Sequence, residues 1–232
     1  MKIKNTNKYL LTVTILFFFG ITILTAQENV NANKSEGTGW YIQPGALFVN
    51  FIEDSKVNAA GMEVDGASVE LSNEVTASMQ FGYNFSEKFS ISSLIALPPT
   101  TTITGKGAIA GLTIGEVTFI PIILSGNYHF KILKNIEPYI GVGLNYTLIS
   151  KEKDNNLLDL EAENMFGFVL RGGVNYMFSK NWGLNASATM NFIKTDITGS
   201  VAPGIPGLGG APVNAEVNVN PLGLQIGLVY KL

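Results

Sequence analysis

The chain has 232 residues, of which 46% are hydrophobic and 14% charged, with a formal net charge of −3 and no cysteine. The lack of cysteine excludes a disulfide framework and a lipid anchored through a thiol. Acids outnumber bases, so nothing resembles the basic footprint of a nucleic-acid partner.

Residues 1–26 stand apart from the rest. Lys2, Lys4 and Lys8 form a basic start, Leu10–Leu24 an apolar run of fifteen residues, and Ala26 precedes Gln27. This order reads as a secretory signal peptide, because fifteen residues fall short of the ~20 that a membrane-spanning helix needs. Taking its three lysines from the 15 basic residues leaves 12 against 18 acids, a net charge of −6 for the mature chain. Residues 27–38 are polar and are expected to form a short periplasmic tail. Residues 39–232 are expected to form one domain. No apolar run of helix length remains there, yet the mean hydropathy of the whole chain is +0.25. Apolar residues at alternate positions give that combination.

Eight segments alternate. The first, Gly39–Phe51, puts Trp40, Ile42, Ala46 and Phe48 on one face, and a polar connection over 52–68 follows. The second, Val69–Phe85, sets Val75, Ala77, Met79, Phe81, Tyr83 and Phe85 against Thr76, Ser78, Gln80, Gly82 and Asn84. Ser86–Lys88 turns into the third, Phe89–Ile103, and Gly105–Leu112 makes the next loop. The fourth covers Gly115–Phe130, and Lys131–Glu137 is a second short turn. The fifth, Pro138–Leu148, sets Ile140, Val142, Leu144, Tyr146 and Leu148 against Tyr139, Gly141, Gly143, Asn145 and Thr147. Residues 151–160 are charged and loop-like. The sixth, Glu161–Phe178, carries Phe166, Phe168, Leu170, Val174, Tyr176 and Phe178 on one side, and Ser179–Asn181 is the third short turn. The seventh is Trp182–Thr198, before a Gly/Pro-rich loop at 199–212. The last, LGLQIGLVYKL at 222–232, puts Leu222, Leu224, Ile226, Leu228, Tyr230 and Leu232 on one face. A strand turns successive side chains to opposite sides, so each segment suits a wall between lipid and a lumen.

Short connections follow the second, fourth and sixth strands, and longer ones follow the first, third, fifth and seventh. Outer-membrane barrels keep short turns in the periplasm and long loops outside. Trp40, Tyr83, Phe85, Phe89, Tyr128, Phe130, Tyr176, Phe178, Trp182 and Tyr230 then gather at the periplasmic ends as an interfacial girdle. A soluble β-sandwich accounts for the alternation equally well. It does not account for the signal peptide, loop asymmetry, girdle and terminal strand together. The expected fold is therefore all-β, an eight-stranded antiparallel transmembrane β-barrel in the cell outer membrane.

Four stretches carry a family resemblance: NYHF at 127–130, PYIGVGLNYT at 138–147, WGLNASATMNFIKTDI at 182–197 and VNPLGLQIGLVYKL at 219–232. With them essentially the whole mature chain resembles the OmpW family of outer-membrane proteins. Two places depart from it: Leu232 stands where an aromatic residue is usual, and LPPTTTI at 97–103 where a more polar stretch, often with His, is expected. The resemblance implies an eight-stranded barrel with a narrow apolar lumen, linked to the uptake of small hydrophobic compounds.

Continuing the inward phase toward the long loops gives Leu47, Val49, Leu94, Ala96, Val117, Phe119, Ile123, Val169 and Ile193. They are apolar where a water-filled porin would carry charges. Eight strands leave room only for side chains or one small ligand. The interior is thus either a hydrophobic pocket or conduit, or a packed core that merely stabilises the barrel. Pro98, Pro99, Pro121 and Pro221 remove ladder donors, which would let strands part and open the wall to lipid. Arg171, the one arginine, falls mid-strand on the lumen face and needs partners there; Asn145, Gln80 and lumen water are the candidates.

Catalysis is not expected. His129, the one histidine, shares a face with Ser125, four residues or roughly 13 Å away at ~3.3 Å per residue. That is too far for a nucleophile–base hydrogen bond, although a partner from a neighbouring strand stays open. Gly141-Val142-Gly143 lies within a strand with no helix after it, so no dinucleotide site and no cofactor are expected. Glu53, Asp54, Glu63, Asp65, Glu70, Glu152, Asp154 and Asp159 make an acidic rim on the loops. It reads as a solvated surface, with calcium binding or contact to lipopolysaccharide phosphates through divalent ions as the alternative; the spacing favours no metal site. The expected partners are outer-membrane lipid and lipopolysaccharide, a small hydrophobic solute, and the barrel-assembly machinery through the C-terminal strand. Passage of hydrophobic solutes ranks first among the functions, then a structural or adhesive plugged barrel, then a membrane enzyme.

Overall fold

The computed structural model describes residues 37–130, 134–205 and 209–232. The expected signal peptide and residues 27–36 of the expected tail lie outside the described residues. The strands are β1 (Gly39–Asn50), β2 (Glu53–Ala59), β3 (Met62–Glu63), β4 (Ala67–Leu71), β5 (Glu74–Asn84), β6 (Phe89–Ala96), β7 (Thr100–Gly107), β8 (Thr113–His129), β9 (Ile136–Asp154), β10 (Leu157–Ala162), β11 (Met165–Met177), β12 (Trp182–Val201), β13 (Pro212–Val219) and β14 (Leu222–Lys231). Eight of them, β1, β5, β6, β8, β9, β11, β12 and β14, pair antiparallel in that order around a ring. The first and last strands close it, from Tyr41 opposite Lys231 to Asn50 opposite Leu222. Closure leaves no sheet edge, which is the condition for crossing lipid with strands.

The outward positions are apolar and exposed, among them Phe48, Val75, Leu124, Val142, Phe168 and Ile226. At the short-turn end the aromatic girdle is a set of touching rings. Trp40 meets Tyr83 and Tyr83 meets Phe85, Phe89 meets Tyr128 and Tyr128 meets Phe130, and Trp182 meets Tyr230, with centroids 4.6 to 5.2 Å apart. Such pairs contribute ~0.5–1.5 kcal/mol each beyond the area they cover.

The remaining six strands extend the wall beyond the lipid band at the long-loop end, and here the expected boundaries change. The connection expected over 52–68 contains β2, β3 and the start of β4, and β2 lies along β13 with Lys56 opposite Glu216. The stretch 151–160 belongs largely to β9 and β10. Their outer faces meet water, so they carry charges and read as loops; their inner faces still bury Val57, Ala59, Leu157 and Leu160. Glu137 stands in β9 rather than in the turn before it. Three expected long strands are interrupted, at Ser72–Asn73, Leu97–Pro99 and Glu163–Asn164. The proline break remains stitched: Leu97 N donates to Ala77 O at 2.9 Å, and Phe119 N to Pro99 O at 3.2 Å. Pro221 is held likewise, its carbonyl accepting from Asn191 N at 3.1 Å. Pro99 and Pro221 therefore do not part the wall.

Inside the ring, register sets a large side chain over a glycine. Tyr41 lies opposite Gly82, and a Cβ at Gly82 would fall within the Tyr41 ring. Tyr139 lies opposite Gly173 in the same way. Both tyrosines are buried across the lumen because those positions carry no side chain.

Two outcomes are expected from this architecture. Protease added to intact cells should cut at the Ala60–Gly61 turn of the β2–β3 hairpin or in the connection after Val201, sparing 86–88 and 179–181. Cleavage confined to the latter two would reverse the orientation. Gly82→Val should destabilise the barrel by ~1–3 kcal/mol through overpacking, read as a lower urea midpoint in lipid vesicles, although valine otherwise favours strands. Adding Tyr41→Ala should recover part of the loss.

Candidate functional site

The lumen divides into two chemically different halves. Toward the long loops, a cavity of about 70 Å³ is lined almost wholly by apolar side chains. A buried water needs ~10–15 Å³, so there is room for a slender solute of a few carbon atoms. Leu47, Val49, Leu94, Phe119, Ile123 and Ile193 form part of its wall, as does Val117. Val169 and Ala96 do not; they are buried in a cluster with Leu47, Val49, Leu94 and Ile123. Phe119 is set edge-to-face against Phe51, with centroids 5.9 Å apart. Phe51, Ile103, Met165, Ile197, Val217 and Val219 line the cavity as well. The inward phase identifies all of them but Ile103 once it is carried into the strands beyond the lipid band; the break at 97–99 shifts the phase, so that odd residues face inward in β7 where even ones do in β6. A second apolar cluster, including Val57, Val69, Leu157 and Leu160, fills the lumen around and above the cavity.

The floor is polar. Asn145 Nδ2 donates to Asn191 Oδ1 at 2.8 Å, Thr147 Oγ1 to Asn145 Oδ1 at 3.0 Å, and Asn191 Nδ2 to Pro221 O at 2.9 Å. Below it the lumen is filled by a hydrogen-bonded plug. Gln43 Nε2 and Asn185 Nδ2 donate to Asn175 Oδ1 at 3.4 and 2.8 Å, and Asn185 Nδ2 reaches Tyr139 OH at 3.2 Å. Ser92 and Ser125 meet at 3.0 Å, and Asn127 Nδ2 donates to Ser92 and Ser90 at 3.0 and 3.2 Å. At the mouth, both carboxylate oxygens of Glu137 accept from Lys231 Nζ at 2.9 Å. This pair spans the lumen, since β11 and β12 separate β9 from β14 in the wall. The alternation that yields the apolar residues also marks these polar ones; they are inward positions nearer the short turns.

Arg171 is buried, but its partners are neither Asn145 nor Gln80. Its Nη2 donates to Gln225 Oε1 at 3.0 Å and Ser187 Oγ at 3.3 Å, and its guanidinium carbon lies 5.7 Å from the centre of the Tyr139 ring. Asn145 is occupied by the floor, and the partners come from β12 and β14, the next two strands around the wall, which strand phase alone does not reveal. Gln225 is held in turn by Ser78 Oγ, which accepts from its Nε2 at 3.1 Å. Four buried atoms have no hydrogen-bond partner among the described residues: Arg171 Nε, Gln43 Oε1, Gln80 Oε1 and Asn185 Oδ1.

His129 finds a serine on the neighbouring strand rather than Ser125. Its Nε2 is 2.8 Å from Ser90 Oγ, and both residues are buried in the plug. Among the described residues no group of three or more His, Cys, Asp or Glu is placed to hold a metal ion.

The cavity adjoins an outer cleft where two strands part. The β9–β11 ladder ends at Thr147 opposite Met165, and β10 pairs with β12 instead of β9. Across the interval Ile149 N donates to Asn164 Oδ1 at 2.8 Å. Ile149 and Ala162 line the cavity and also an outer cleft shared with Glu152, Glu163 and Asn164.

Known proteins are similar to this chain in sequence and in fold. The dibenzothiophene metabolism operon protein PahQ of Pseudomonas aeruginosa is 29% identical over 188 residues, 81% of this chain and 86% of that protein. Outer membrane protein AlkL of Ectopseudomonas oleovorans is 26% identical, over 75% of this chain and 73% of its own. The crystal structure of outer membrane protein OprG from Pseudomonas aeruginosa superposes with a TM-score of 0.77 over 84% of this chain and 96% of that one, at 20% identity. The OmpW family model matches residues 41–232, so the chain belongs to the OmpW family of outer-membrane β-barrels.

Proposed function

We propose that the barrel passes small apolar solutes across the outer membrane. In this reading they leave water at the long-loop end, occupy the apolar cavity, and depart sideways through the interval between β9 and β10. The observation that carries the proposal is the seating of an apolar cavity directly on a hydrogen-bonded polar plug. Each methylene removed from water into such a cavity gains ~0.8 kcal/mol. Going on through the plug would break buried hydrogen bonds, each exposing a group to a desolvation cost of ~1–3 kcal/mol. The cheaper way out is toward lipid, past Ile149 and Ala162. PahQ, by its name, is encoded with the metabolism of dibenzothiophene, a fused apolar aromatic, which agrees with an apolar cargo.

The test is uptake of a short hydrocarbon and of a small sugar by cells with and without the protein. The hydrocarbon alone should be stimulated. Phe119→Asp places a carboxylate in the wall and should lower that stimulation about tenfold or more, with insertion unchanged by heat-modified mobility. Equal stimulation of both solutes would indicate an aqueous pore. Stimulation of neither would favour the plugged structural barrel.

A further inference from the structure

We propose that Arg171 is an anion subsite beneath the cavity, so that the preferred cargo is a small monocarboxylate with an apolar tail. The assignment rests on the reading of the cavity as a solute site. It starts from charge. Arg171 is the chain's one arginine, is 4% exposed, and has no carboxylate partner among the described residues. Glu137, an acid at the turn-end mouth, has both oxygens committed to Lys231. What surrounds the guanidinium is neutral: Gln225 Oε1, Ser187 Oγ and the face of Tyr139. A buried cation with neutral partners is under-compensated, and an anion that reaches it gains what water no longer supplies.

Donor geometry narrows the class of anion. Nη2 already makes two hydrogen bonds, while Nε makes none. Nε–H and the outer Nη2–H lie along one edge of a guanidinium, spaced to meet the two oxygens of a single carboxylate. A carboxylate placed there satisfies Nε and replaces a neutral acceptor on Nη2 with a charged one. Position supplies the rest. Arg171 is opposite Thr189 in register and follows Val169 by one inward step, while Gln225 follows Gly223 by one. Thr189 and Gly223 line the cavity. The guanidinium is thus one layer, about 7 Å, below the apolar wall. A head group on Arg171 leaves its tail among Leu47, Leu94 and Ile123.

A sole arginine makes the test direct, because labelling with ¹⁵N-arginine gives one Nε–H signal. The intact barrel in lipid nanodiscs is titrated with hexanoate, hexanol and chloride. Hexanoate should shift that signal and slow its exchange with water. It should also bind at least about tenfold more tightly than hexanol, the increment expected of a charge-assisted pair. Arg171→Gln should bring the acid-to-alcohol ratio near one, and Arg171→Lys should keep part of the preference, which separates lost charge from lost fold. Equal affinity for acid and alcohol, or an Nε signal that hexanoate leaves unmoved, would overturn the proposal. The same shift from chloride at the same concentration would overturn it too, since the tail would then be irrelevant. If hexanol shifts the Leu47 and Leu94 methyl signals while hexanoate gains nothing over it, only the subsite fails. If neither ligand touches those methyls, the cavity reading fails with it.

Discussion

A bilayer core offers the backbone no water, so every N–H and C=O inside it must find a partner in the chain. Closure of β1 onto β14 meets that demand, and much of the rest follows. The constraint lapses where the strands leave the lipid, and there the wall changes character. Between β2 and β4 side chains take over from the ladder: Val69 N donates to Ser55 Oγ at 2.9 Å and Leu71 N to Glu53 Oε1 at 2.7 Å. Between β9 and β10, Asp154 accepts from the backbone of Asp159 and Leu160 at 3.0 Å. Seams of this kind are tolerable only within reach of water. The interval proposed as a side exit lies where outward Leu148 and Phe166 give way to Ser150, Lys151, Glu163 and Asn164. It stands at the edge of the lipid band for the same reason that the band itself has none.

Closure also makes the interior narrow, and its two halves fill it by different means. In the plug, bonds run between strands that are not neighbours: Arg171 of β11 to Gln225 of β14, Tyr139 of β9 to Asn185 of β12, Glu137 of β9 to Lys231 of β14. Each buried hydrogen bond contributes only ~0.5–1.5 kcal/mol net, but chords across a ring resist flattening as rim bonds cannot. The apolar half is filled mainly by contacts between methyl groups, which are indifferent to direction. A barrel stiff at one end and adaptable at the other suits a cavity that must widen to admit a solute.

The strand phase was legible because lipid enforces it. Along β8, β11 and β12 each odd position predicted to face inward does so, and the aromatic girdle sits where the turns imply. Legibility failed where lipid no longer selects the outer face. In β2 the outer residues are as charged as a loop's, and alternation survives only in Val57 and Ala59. Contacts between strands were also hidden: nothing in the spacing of Arg171, Ser187 and Gln225 shows that they meet, and the serine beside His129 comes from β6. The prolines misled for a physical reason. A proline removes one donor, yet its carbonyl still accepts, and here Pro99 and Pro221 use theirs to bridge the breaks.

For the proposed passage, the decisive step is leaving water, since cavity and bilayer are alike to a hydrocarbon and moving between them costs little. A solute with a carboxylate faces a different landscape, because its head cannot follow the tail into an apolar cavity uncompensated. The boundary between the two halves of this lumen is where such a head would be tolerated, and the one guanidinium of the chain stands there, among partners that carry no charge. A purely structural brace between β11, β12 and β14 needs only a neutral donor and acceptor, as Asn185 and Asn175 supply one layer away. The charge is more than the brace requires, and it stands directly under the floor of the cavity.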